Sequence, residues 1–183
     1  MERASFIPQI QETQDTFEER LAVFPQGFLL LQDAADETVL KNGCALTAGY
    51  FCSEILSCIP EGTNFFELGH SARENHTAEG PVLYVSSFAL YPEYRGKKLA
   101  LPFFKGCLNS ICSSFKNIKT VLLLVNSEWQ GAKHIYETLG FTKLRTIKDF
   151  FPSLHFPSSD GILMTAPSSL FVNQEVPDIE EKE

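Results

Sequence analysis

The chain has no C-x-x-C pair among its five cysteines, Cys44, Cys52, Cys58, Cys107 and Cys112. Disulfide frameworks and zinc sites both depend on paired spacing, so these thiols read as small buried hydrophobes of a reducing compartment. No apolar run reaches the roughly 20 residues that a membrane-spanning helix needs. The opening MERASFIPQI lacks the apolar core of a leader. Together these absences predict a cytoplasmic protein with no membrane association. Basic stripes are lacking too, which argues against a nucleic-acid partner, because nothing would neutralise a run of phosphates. The four histidines have no metal-ligand spacing and no accompanying carboxylate cluster, so no metal is expected. Nor does any Ser or Cys sit in a nucleophile motif.

What is present describes an ordinary globular chain: 183 residues, 44% hydrophobic, 21% charged, with 16 phenylalanines. That length is enough to bury a core. The net charge of −8 misleads. The stretch 173–183, NQEVPDIEEKE, supplies about half of it and has the composition of a disordered tail. The expected organisation is therefore one domain over 1–172, only mildly acidic, followed by that tail.

Hydrophobic periodicity orders the domain. DTFEERLAVF (15–24) predicts a short helix capped by Asp15 or Thr16, with Phe17, Leu21 and Phe24 on one side. GFLLLQD (27–33) and CALTAGYFCSEIL (44–56) read as an antiparallel hairpin joined by AADETVLKNG. Residues 57–81 lack a period, and connections of that length are often functional. VLYVSSFAL (82–90) predicts a central strand, LALPFFKGCLNSICSSF (99–115) a helix, KTVLLLV (119–125) a strand and WQGAKHIYETLG (129–140) a helix ending on Gly140. FTKLRTIKDFF (141–151) and GILMTAP (161–167) complete the set. The order β-β-β-α-β-α-β-β contains one strand–helix–strand crossover, which demands a parallel pair inside an otherwise antiparallel, mixed α/β sheet.

One passage stands out. ALYPEYRGKKLALPFF (89–104) sets Arg95, Lys97 and Lys98 around Gly96 between a strand and a helix. The first N–H groups of a helix lack intrahelical partners and carry partial positive charge, so such a turn suits a phosphate. Pro102 is tolerated there because the first turn needs no proline N–H. A solvated basic turn would look the same on composition.

The wider pattern resembles the Gcn5-related N-acetyltransferase (GNAT) family. FALYPEYRGKKLA (88–100) is similar to its strand-end run before the coenzyme A helix. NSEWQGAKHIYETLGF (126–141) is similar to its later motif, through Asn126, Ala132, Tyr136, Glu137, Gly140 and Phe141. The resemblance spans roughly 15–167, and the excursion FFELGHSARENHTAEGPVLYV is similar to the arylalkylamine-N-acetyltransferase-like branch. It implies a GNAT-type, mostly antiparallel sheet with flanking helices, and an acyltransferase that moves the acetyl group of acetyl-coenzyme A to a small primary amine. The backbone of Phe88, Ala89 and Leu90 would face the acetyl and pantetheine arm. Arg95, Gly96, Lys97, Lys98, Leu99, Ala100 and Leu101 would hold the pyrophosphate, and Asn126 the pantetheine. Tyr136 would protonate the departing thiolate, a step open to a phenol of pKa about 10.

Three departures accompany the resemblance. Lys98 stands where the family has glycine, so either the loop stays right-handed there or cofactor binding is weakened. Tyr84 and Ser86 stand where members of that branch carry histidines, which leaves Glu54, Glu67, His70 and His76 as candidate bases. Few residues precede TFEERL, so the family's first strand is expected to be missing or abbreviated. Phe24, Phe65, Phe66 and Phe151 are candidate lining for an acceptor pocket, with core packing an equal alternative. Unpaired sheet edges could join two copies into a homodimer. A coenzyme A-binding or regulatory protein of the same fold without transfer activity remains the alternative function.

Overall fold

The computed structural model describes residues 1–33, 46–152 and 158–172. Cys44, the connection read at 34–43 and the acidic tail from Asn173 lie outside the described residues. Six strands form one sheet in the order β1-β2-β3-β4-β6-β5. They are β1 (Phe28–Asp33), β2 (Leu46–Leu56), β3 (Val82–Leu90), β4 (Thr120–Asn126), β5 (Thr142–Phe151) and β6 (Ser159–Pro167). Only β3 and β4 run parallel, so the expected mixed, mostly antiparallel sheet is what forms.

Two irregularities in the sheet shape the site. The β3–β4 ladder covers only Val82–Val85 against Thr120–Leu123. Past Val85 the strands diverge, and the β4-facing edge of Ser86 to Leu90 is left unpaired by the sheet. At the same point β3 bulges: Cys52 pairs with Ser87 and Ser53 with Val85, so Ser86 is the extra residue. The extra residue reverses the alternation of side chains. Leu83 and Val85 face one layer of helices before it, and Phe88 faces that layer after it.

That layer is made by α4 (Ala100–Ser114) and α5 (Gln130–Thr138). Helix α4 buries Phe104, Cys107, Leu108, Ile111 and Cys112, a spacing of three and four residues that makes one continuous stripe. They pack on Phe51, Ile55, Leu83, Val121, Leu123 and Met164 of the sheet. Each such large apolar side chain contributes about 1.5–3 kcal/mol on burial. Helix α5 ends as its glycine predicts. Gly140 has φ +88°, Phe141 N donates to Tyr136 O at 3.0 Å and Gly140 N to Glu137 O at 3.0 Å, a Schellman closure.

The opposite face carries α1 (Glu2–Ser5), α2 (Gln14–Val23), α3 (Ala72–Asn75) and the rest of the 57–81 excursion. Helix α2 starts one residue earlier than its sequence suggests. Thr13, rather than Asp15 or Thr16, is the cap, because its hydroxyl reaches Thr16 N at 3.2 Å. Its inner side also differs from the apolar stripe expected: Leu21 is 48% exposed while Arg20 is buried. The reason is electrostatic, since the surface beneath α2 presents Glu54 and His70. No strand precedes β1 among the described residues. In its place residues 1–12 form α1 and a 3-10 turn at Pro8–Ile10 that lie against the diverging end of β3, with Ser5 Oγ donating to Leu90 O at 3.4 Å.

Candidate active site

The divergence of β3 and β4 opens two cavities that meet at Phe88 and Tyr136. The larger, about 1080 Å³, runs from that junction to the start of α4. Its walls include Phe88, Ala89, Leu90, Arg95, Gly96, Lys98, Leu99, Ala100, Leu101, Asn126 and Tyr136. Of the residues that the resemblance assigns to the cofactor and to the acid, only Lys97 does not line it; its ammonium lies over the Tyr94 ring, 5.0 Å from the centroid.

The head of this cavity has the geometry of an anion cradle. Helix α4 has no side-chain cap, and its cap residue Leu99 already has helical dihedrals. Among the described residues, no N–H from Gly96 to Leu101 donates within the chain. Six backbone donors in sequence, joined to a helix dipole, are an arrangement suited to an anion such as a diphosphate. Gly96 sits at φ +73° with open space where a Cβ would point. Lys98 takes φ +61° as well. The loop therefore does not stay right-handed at this lysine, and the left-handed turn is kept. The Cβ costs about 1–2 kcal/mol of backbone strain in that conformation. The Arg95 side chain turns back to bond Leu90 O at 3.1 Å, tying the loop to the strand end. The donors, the two left-handed residues and the adjoining apolar channel fit the pyrophosphate and arm of a coenzyme A.

Asn126 is buried at the end of β4, where its Oδ1 accepts from Glu128 N at 2.8 Å and Ser159 Oγ at 3.0 Å. Its side-chain carbonyl therefore shapes the β4–α5 turn, and the residue lines the cavity. Tyr136 packs among Phe104 and Phe141, and its hydroxyl has no hydrogen-bond partner among the described residues. Burial pushes this phenol above its ordinary value, so it holds its proton at neutral pH.

The second cavity, about 620 Å³, lies on the other side of the junction, under the 57–81 excursion and the β5–β6 hairpin. Phe66 and Phe151 line it as expected, whereas Phe65 packs on His70 and Tyr84, and Phe24 stacks on His76 in the interior. Trp129 bridges Phe6 and Phe151 at 5.8 Å each. The first twelve residues also contribute walls, with Phe6 and Ile10 lining both cavities. Their role was not legible in sequence, where MERASFIPQIQE has no period and no motif.

The structure sorts the candidate bases. Arg20 Nη2 donates to Glu12 Oε1 at 2.8 Å and lies 3.2 Å from His70 Nδ1, while His70 Nε2 lies 2.5 Å from Glu54 Oε1. A guanidinium can only donate, so Nδ1 accepts and Nε2–H donates to Glu54. Both ring nitrogens are then occupied, and the Arg20–Glu54–His70 group is a buried brace between α2, β2 and the excursion. His76 accepts from Ile55 N at 3.1 Å, and burial lowers its pKa. Glu67 is exposed at the rim.

No family model matches the sequence, and no curated protein matches it. Solved structures do. The ribosomal-protein-S18-alanine N-acetyltransferase from Escherichia coli is 14% identical with a TM-score of 0.60, over 96% of this chain and 86% of that one. Naa20 of Chaetomium thermophilum, in complex with a bisubstrate analogue, is 16% identical with a TM-score of 0.61, over 88% and 76%. GphF, a GNAT-like decarboxylase in complex with isobutyryl-CoA, is 11% identical with a TM-score of 0.67, over 91% of each chain. At such identities the likeness is one of fold, and the chain has the GNAT fold.

Proposed function

We propose that this chain is an acetyl-coenzyme A-dependent N-acetyltransferase acting on a primary amine. The observation that carries the reading is the junction at Tyr136, where a channel headed by six unpaired backbone donors meets a second cavity of different character. In this reading the pyrophosphate lies on Gly96–Leu101 and the pantetheine arm follows the unpaired edge of Phe88–Leu90. The thioester carbonyl then reaches the junction, where an amine held in the smaller cavity attacks it directly. The N–C bond forms, the C–S bond breaks, Tyr136 protonates the departing thiolate, and the proton that the nitrogen loses on becoming an amide restores the phenol.

The smaller cavity favours an amine with an uncharged, apolar body. Aromatic and aliphatic walls at Phe66, Tyr84, Trp129, Ile147 and Phe150 are joined by the carboxylates of Glu2, Glu12, Glu67 and Asp149. Among the described residues that line it, the one lysine or arginine, Lys148, is paired with Asp160 at 2.7 Å. A cationic head is attracted and an acceptor carboxylate repelled.

Acetyl-coenzyme A is expected to raise the melting temperature, and an amine panel to release free thiol. Tyr136→Phe is expected to lower kcat roughly 10–100-fold with little change in the KM for acetyl-coenzyme A. The absence of any thermal shift at millimolar cofactor would overturn the reading. A coenzyme A-binding protein without transfer activity would share the cradle, and it is distinguished by binding without thiol release.

A further inference from the structure

Direct attack requires a neutral amine, and three of the four bases expected from sequence are not placed to make one, while Glu67 stands exposed at the rim of the smaller cavity. His70 has both nitrogens engaged, and neither His76 nor Glu54 lines either cavity. Another set of groups does open into the acceptor cavity beside Tyr136. Ser87, one residue past the bulge, and Glu2, on α1, both line it. Between them lies Tyr50 of β2, which is buried. Its hydroxyl is 2.5 Å from Ser87 Oγ and donates to Glu2 Oε1, while Glu2 Oε2 accepts from Glu12 N at 3.0 Å.

The directions of these bonds are fixed by one constraint. The single phenolic proton of Tyr50 is given to the carboxylate, so the Tyr50 oxygen must accept from Ser87. Every proton in the chain then points toward Glu2, and the free lone pairs of Ser87 Oγ are turned to the cavity end. Resting on the acetyl-transfer reading, we infer that Ser87, Tyr50 and Glu2 form the path by which the acceptor ammonium loses its proton. The ammonium N–H breaks as a new O–H forms on Ser87; the original Ser87 proton passes to Tyr50, and the Tyr50 proton passes to Glu2. One proton moves from the ammonium to Glu2, and no further reactant is needed. Ser87 is the catalytic residue, and Tyr50 and Glu2 act through it.

The surroundings suit this assignment. Burial raises the Glu2 carboxyl above its ordinary value, which makes it a better proton sink than an exposed glutamate. The charged and titratable groups that face it are Tyr50 from β2, Glu12 from the segment before α2 and the amino group of Met1. Burial likewise raises Tyr50, so it hands protons on without ionising.

The test is the pH dependence of kcat/KM for an accepted amine, measured for the wild type, Tyr50→Phe and Glu2→Gln by thiol release. Tyr50→Phe keeps the ring against Phe17 and Phe28. Glu2→Gln changes a half-buried residue, so at least one variant remains folded. Expected is a loss on the order of 10–100-fold near neutral pH in both variants. That loss should shrink as pH approaches the pKa of the amine, where the acceptor already arrives neutral. Binding of coenzyme A, followed by calorimetry, should be unchanged. A loss equal at every pH, or no loss, would overturn the relay while leaving acetyl transfer intact. Failure of the wild type to bind coenzyme A or release thiol would instead remove the acetyl-transfer reading, and the relay with it.

Discussion

At the residue scale the most consequential side chain is one that sequence periodicity misassigned. The apolar positions of α2 pointed to Leu21 as an inner residue, yet the buried one is Arg20, braced by Glu12 at 2.8 Å and by Glu54 at 3.6 Å. Burial of a guanidinium is tolerable only while its carboxylates stay. Arg20→Met should therefore cost roughly 3–5 kcal/mol, because it strands Glu54 and Glu12 in the interior without a cation. The double change Arg20→Met with Glu54→Gln should recover a large part of that loss. Urea unfolding midpoints of these two variants and of Glu54→Gln alone measure the coupling; additive losses would mean that Arg20 acts only through its packing. No periodicity rule could have found this group, since its members come from four separate stretches of chain. The cradle is the opposite case. That Gly96, Lys98 and Asn126 come to line one cavity was legible, because strand end, turn and helix start follow from chain order, although the left-handed conformation of Lys98 was not.

At the scale of elements the sheet was readable and its interruptions were not. Alternation and apolar runs located β1 to β6 to within a few residues, and the crossover from β3 through α4 to β4 required the parallel pair. The bulge at Ser86 left no mark in VLYVSSFAL, because a bulge depends on pairing with β2 and not on composition. The glycines record where elements meet closely. At Gly80, just before β3, a Cβ would sit 2.2 Å from Leu56 O and 2.6 Å from Leu56 C, both backbone atoms at the end of β2. Gly80→Ala should thus cost about 1–3 kcal/mol by overpacking and pull the excursion off the sheet. Gly96→Ala meets no atom, and it should cost only about 1–2 kcal/mol, the strain of its left-handed conformation. The two are separated by binding: Gly80→Ala lowers the melting temperature with the cradle unaltered, while Gly96→Ala also weakens coenzyme A. Equal cofactor affinities in the two variants would contradict the assignment of Gly96 to the cradle.

For the whole molecule, charge sets the remaining problem. Residues 173–183 carry five acids and one lysine, a net of −4, so the rest of the chain carries −4 of the total −8. An anionic cofactor approaching such a body meets mild net repulsion, which the cluster of Arg95, Lys97 and Lys98 offsets locally. The six backbone donors supply short-range hydrogen bonds, which salt barely affects. The three cations are exposed and act through their field, which is screened beyond about 10 Å at 0.1 M salt and beyond about 3 Å at 1 M. The two contributions can therefore be separated by ionic strength. A Lys97→Ala, Lys98→Ala variant should bind coenzyme A about 3–10-fold more weakly at 20 mM salt, in line with the small worth of exposed charge pairs. At 1 M salt its affinity should converge on that of the wild type, leaving the backbone contribution common to both. Isothermal titration across that range is the measurement. A gap that persists at high salt would mean that the lysines bond the phosphates directly, and that Lys97 leaves the Tyr94 ring when the ligand is bound.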